Sequence, residues 1–149
     1  MSDLKQLYQE IILDHYRSPR NHGGLEEADR EAAGHNPLCG DRVKIFLDLD
    51  GDRIEKVTFE GDGCAISTAS ASLLTEAIEG KTISEAESLS QNFRDLLTGQ
   101  TEPGDHDLGK LEAFVGVREL PVRIKCATLA WHTLKAALDN GSQTVTTEN

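Results

Sequence analysis

The stretch from Val43 to Phe59 restricts the fold of this chain more than any other. Val43, Ile45, Leu47 and Leu49 alternate with Lys44, Phe46 and Asp48. That period of two gives a strand with one buried face. Asp50-Gly51 is a strong signal for a tight hairpin turn, and Ile54-Glu55-Lys56-Val57-Thr58-Phe59 supplies the return strand. A hairpin is at best marginally stable by itself, so other elements must cover its apolar face. Asp29 to Gly34 offers a third strand with a weaker pattern.

The covering elements are helices. Leu4, Leu7, Tyr8, Ile11 and Ile12 recur at helical spacing ahead of Pro19. After Glu60-Gly61-Asp62-Gly63, the Ala-, Ser- and Leu-rich segment from Ala65 to Glu79 reads as a helix stopped by Gly80. Thr82-Ile83-Ser84-Glu85 fits a capping box for a helix running to Leu97. A polar connection, Gln100 to Asp107, leads to a short helix from Leu108 to Phe114. Pro121 then opens a last helix carrying Ile124, Ala127, Trp131, Leu134 and Leu138, closed by Asn140-Gly141.

Strands early and helices late predict an α+β fold, a small antiparallel sheet of about three strands packed on one face by helices. The 149 residues fit one domain, 1–141, with 142–149 expected to be a disordered tail. The chain is 38% hydrophobic and carries a net charge of −11. That balance argues against general affinity for nucleic acid or anionic membrane, both of which reward clustered Lys and Arg. The first residues lack the form of a signal peptide, and no apolar run approaches the roughly 20 residues of a membrane span. A cytoplasmic protein is the expectation.

Cys39, Cys64 and Cys126 each sit at the boundary of an expected element. Taken singly, each could be a small buried hydrophobe. Cys64 and Cys126 lie near helix starts, where the dipole and unpaired N–H groups lower a thiol's pKa. Asp41 is two residues from Cys39, so three sulfurs and a carboxylate would make the four ligands that zinc prefers. The intervals of 24 and 61 intervening residues match no zinc finger.

Four motifs occur in order between about residues 4 and 138. They are Asp14-His15-Tyr16 with Pro19-Arg20-Asn21; Asn36-Pro37-Leu38-Cys39-Gly40-Asp41-Arg42; Phe59-Glu60-Gly61-Asp62-Gly63-Cys64-Ala65-Ile66-Ser67; and Arg123-Ile124-Lys125-Cys126-Ala127-Thr128-Leu129. Together they resemble the SufU branch of the IscU-like family of iron–sulfur cluster assembly proteins, which is similar to the N-terminal domain of NifU. Lys125 stands where the IscU branch carries histidine, and the long second interval accommodates the extra residues of the SufU branch.

The resemblance implies that Cys39, Asp41, Cys64 and Cys126 bind a metal, zinc in this branch. It implies a sulfurtransferase that takes persulfide sulfur from a PLP-dependent cysteine desulfurase of SufS type and relays it to a downstream iron–sulfur assembly scaffold. Two alternatives use the same residues: a scaffold holding iron or a transient [2Fe–2S] cluster, and a structural-zinc module that only activates the desulfurase. Lysine at 125 favours transfer over scaffolding. Cys39 is expected to be the persulfide acceptor, because its glycine-flanked loop is the easiest to swing outward and the resemblance points to the same residue. Arg123, three residues before Cys126, is expected to share its helical face and offset the negative charge of the ligands. His35 and the other histidines read as exposed or polar-connection residues, and Ser67, Ser70 and Ser72 have no evident base.

Overall fold

A computed structural model describes residues 2–140 and 144–146. Helix α1 (Ser2–Arg17) is followed by β1 (Arg30–Asn36), β2 (Asp41–Asp50) and β3 (Arg53–Asp62), then by α2 (Ala65–Ile78) and α3 (Ile83–Leu97). A 3₁₀-helical segment, Gly109–Glu119, leads into the long α4 (Pro121–Asn140) and a short strand β4 (Thr144–Thr146).

The sheet order is β3-β2-β1-β4. β1, β2 and β3 are antiparallel as expected, with a register irregularity at Asp48/Leu49 near the Asp50-Gly51 turn. Gly51 adopts a φ of 63°, the left-handed conformation that such a turn requires. The tail departs from expectation: Thr144–Thr146 pair in parallel with Ala33–His35 and extend the sheet at the β1 edge. The other residues of the expected tail lie outside the described residues. The helix expected at Leu108 to Phe114 is a longer 3₁₀ segment.

One core joins the layers. Val43, Ile45, Leu47, Ile54, Val57 and Phe59 of the hairpin are buried with Leu74 and Ile78 of α2 and Leu129, Leu134 and Ala137 of α4. Phe93 of α3 lies edge-on to Phe114 at 5.7 Å and tilted against Trp131 at 5.0 Å, joining α3, the 3₁₀ segment and α4. The capping box holds: Glu85 N donates to Thr82 Oγ1, and Thr82 N donates to Glu85 Oε1. Among the described residues, no helix is long and apolar enough to cross a membrane.

Helix α2 carries an unusual buried seam of hydroxyls. Ser72 Oγ accepts from Arg20 N at 2.8 Å and lies 2.7 Å from His15 Nδ1. Thr75 Oγ1 accepts from Asn21 Nδ2, and Ser70 Oγ accepts from Trp131 Nε1 while donating to Ala127 O. The Asp14–Asn21 motif is thus an anchor that docks α1 and its following loop on α2, aided by an Arg20–Asp14 ion pair at 2.7 Å. The partner of Ser72 is His15, which beyond its place in a motif was expected to be exposed like the other histidines and is instead buried. Enclosed in the core, that pair is structural.

Helix α4 approaches the sheet closely at Gly34, where an added Cβ would come within 2.0 Å of Thr133 Oγ1. Gly34→Ala should therefore destabilise the protein by about 1–3 kcal/mol, the usual cost of overpacking. Denaturant unfolding measures this, and Gly34→Ala combined with Thr133→Ala should recover part of the loss.

A pH dependence follows from His15. Burial, followed by the Arg20 charge, holds its imidazole below the usual 6.5. The unfolded chain then binds a proton that the folded chain resists, so stability falls as pH drops below 6.5 and levels off below the lowered folded value. Urea midpoints measured from about pH 7.5 to 5 should show this slope, and His15→Gln should reduce it.

Candidate metal centre

The β1–β2 turn, the start of α2 and the second turn of α4 meet at one end of the sheet. Asn36 and Asp41 are the last paired residues of β1 and β2, so Pro37-Leu38-Cys39-Gly40 is the turn between them. Gly40 has a φ of 73°, which a side chain would strain. Cys39, on this turn, is exposed.

Cys39, Asp41 and Cys126 bring their donor atoms within 4.8 Å of one another, with the two sulfurs 3.4 Å apart. Cys64 borders this group, its Sγ 3.9 Å from Asp41 Oδ2. Its sulfur also caps α2, accepting from Ser67 N at 3.4 Å. Asp41 is buried, and its Oδ1 accepts from Cys64 N at 2.9 Å. One carboxylate oxygen thus orients the α2 start while the other faces the thiols. Three of the four expected ligands thus share one donor group, and Cys64 lies beside it.

The electrostatics differ from expectation at Cys126. It is the sixth residue of α4, not at its N-terminus, and it is buried. Burial, then hydrogen bonding with Asp41 and Cys39 and the surrounding negative charge, pushes its thiol well above the ordinary range. The expected lowering by the helix dipole is outweighed. Arg123 does face the cluster: a hydrogen bond with Cys126 and the charge of the three cysteines hold its guanidinium still more firmly in the charged form. His35 is not a loop residue. It lies half-buried in β1, paired with Arg42, and is absent from the donor group.

The donor set fits a tetrahedral metal. Three sulfurs with one carboxylate oxygen suit zinc, whose structural and catalytic sites mix such ligands, better than the hard ions that take only oxygen. A cation also answers the problem of a buried carboxylate beside clustered thiols, which crowd negative charge without it.

A helix-covered antiparallel sheet that gathers three cysteines and an aspartate at one end defines a small metal-binding class of domain. The chain belongs to the NifU-like N-terminal domain family, which it matches over residues 7–147. It is 47% identical over 134 residues to the zinc-dependent sulfurtransferase SufU of Bacillus subtilis, covering 90% of each chain. It is 41% identical to the iron–sulfur cluster assembly scaffold protein IscU of Streptococcus pyogenes, over 93% of this chain and 86% of that one. Among solved structures, it superposes with a TM-score of 0.82 on a protein described as an iron–sulfur cluster assembly scaffold for the SUF system of Fervidobacterium islandicum. That protein is 40% identical, and the match covers 87% of this chain and 95% of the other.

Asn36 was not singled out from the sequence beyond its place in a motif. It is fully buried, and its Nδ2 lies 3.7 Å from Cys126 Sγ. The Asn-Pro pair before Cys39 signals a turn but gives no sign of contact with a sulfur 90 residues away.

The two jobs of Asp41 can be separated. Asp41→Asn keeps an acceptor for Cys64 N–H and should leave the fold near wild type while weakening zinc binding by at least about tenfold. Asp41→Ala should also leave that buried N–H unpaired, at a cost of about 1–3 kcal/mol. Chelator competition and thermal unfolding, read side by side, check both outcomes.

Proposed function

We propose that this chain is a zinc-dependent sulfur-transfer protein of iron–sulfur cluster assembly. Cys39 accepts persulfide sulfur from a PLP-dependent cysteine desulfurase of SufS type, and the chain passes it to a downstream assembly scaffold. The observation that carries this reading is the contrast between two sulfurs 3.4 Å apart, Cys39 exposed on a turn and Cys126 buried in a helix. Kinship with the Bacillus subtilis sulfurtransferase supports the choice of reaction.

Cys39, Asp41, Cys64 and Cys126 would hold the zinc, which when bound keeps its thiol ligands deprotonated at neutral pH. The transfer itself is a thiol exchange. The Cys39 thiolate attacks the terminal sulfur of the donor's persulfide, a new S–S bond forms, and the old one breaks. The donor cysteine leaves as a thiolate carrying the electron pair, so no external oxidant or reductant is needed. Arg123, beside the cluster, offsets its negative charge and draws an anionic persulfide inward. The chemistry requires reduced thiols, which suits the cytoplasm. A net charge of −11 gives a partner enzyme, rather than nucleic acid or membrane, as the natural counterpart.

Sulfur loading with isotopically labelled cysteine and the desulfurase tests the reading. The wild-type chain should carry stoichiometric zinc and one labelled sulfur on Cys39 by mass spectrometry. Cys39→Ala should take none while still co-purifying with the desulfurase, and normal loading of that variant would sink the assignment. Bound iron with visible absorbance would point instead to a scaffold. Faster desulfurase turnover with no sulfur on this chain would point to structural zinc.

A further inference from the structure

Every polar group in the Asn36 side chain is committed at the base of the Cys39 turn. Oδ1 accepts from Leu38 N at 3.2 Å, and Nδ2 donates toward Cys126 Sγ at 3.7 Å. The backbone carbonyl accepts from Gly40 N at 2.8 Å and from Cys39 N at 3.3 Å. The Leu38 N–H needs an acceptor, which fixes the amide with its NH₂ toward the sulfur. The residue is fully buried and sits opposite Asp41 in the sheet register. One side chain therefore touches both the turn that carries the exposed sulfur and the buried sulfur beside it.

We propose that Asn36 is a positioning residue that fixes Cys126 as the stationary sulfur of the site and leaves Cys39 as the mobile one. An N–H donor draws electron density from a thiolate and restrains its orientation, so the sulfur that receives it is the weaker nucleophile and the firmer ligand. The Asn36 donor is spent on Cys126. Its carbonyl and Oδ1 hold the backbone N–H groups of Leu38, Cys39 and Gly40 without holding the Cys39 sulfur, so that side chain moves from a fixed base. The fate of Cys39 here rests on the transfer reading above, whereas the hold on Cys126 does not.

The test separates the donor from the turn. In Asn36→Ser, the hydroxyl can still accept from Leu38 N–H but is too short to reach Cys126. In Asn36→Asp, the shape and that acceptor remain and the donor is lost. Both variants should bind zinc about 10–100-fold more weakly in chelator competition, the usual effect of deleting a hydrogen bond on a metal ligand. With cobalt(II) in place of zinc, both should shift the sulfur-to-metal charge-transfer band. After sulfur loading, labelled sulfur should appear on Cys126 as well as Cys39 in the variants and on Cys39 alone in the wild type.

Zinc affinity within about twofold of wild type with an unmoved cobalt band, in whichever variant folds, overturns the proposal, because a residue serving the turn alone is rescued by either substitution. Weakened zinc and a shifted band, with no sulfur on Cys39 even in the wild type, uphold the hold on Cys126 and overturn the transfer reading instead.

Discussion

The hydrogen bond from Cys64 N to Asp41 Oδ1 is the contact on which the rest of the site depends. It ties the first residue of β2 to the residue that caps α2, two segments brought together only by the fold. The local sequence makes room for it: a Cβ on Gly63 would stand 3.1 Å from the same oxygen. Burying a carboxylate is costly unless it is hydrogen-bonded and charge-compensated. Asp41 meets the first condition through the backbone, and a cation held among the cysteines would meet the second.

The buried hydroxyls of α2 perform the matching task further along that helix. His15, Arg20 and Asn21 all reach Ser72 or Thr75, while Ser70 joins Trp131 and a carbonyl of α4. Directional bonds fix the helix about its own axis more tightly than apolar packing alone, since a hydrogen bond weakens steeply with misalignment. The rotation of α2 matters because Cys64 caps it.

Much of the fold was legible because its signals were periodic and local. The β2–β3 hairpin, the Asp50-Gly51 turn and the Thr82–Glu85 capping box each act within a few residues and appear as read, except that Phe46 is buried on the other face of β2 and Leu49 only half-buried. The candidate site was legible as well, because three cysteines and an aspartate recur together in motifs that belong to a family. What escaped was non-local. Nothing near His15 signals a buried partner 57 residues away, and nothing near Asn36 signals Cys126. The burial of Cys126 also reverses an inference from its sequence position: α4 begins at Pro121 as read, but the fold encloses the thiol and sets Asn36 of β1 against it. β4 was missed because three residues of Thr and Val carry too little pattern to distinguish an added edge strand from a tail.

The shortness of the Cys39 turn limits how far its sulfur can move. Cys39 is two residues from Asp41, and two residues of fully extended chain span at most roughly 7 Å. Such a stroke is far shorter than that of a carrier on a flexible linker. In the proposed transfer, the donor would have to bring its own sulfur nearly to the cluster, and the fit between the two surfaces would set the transfer distance.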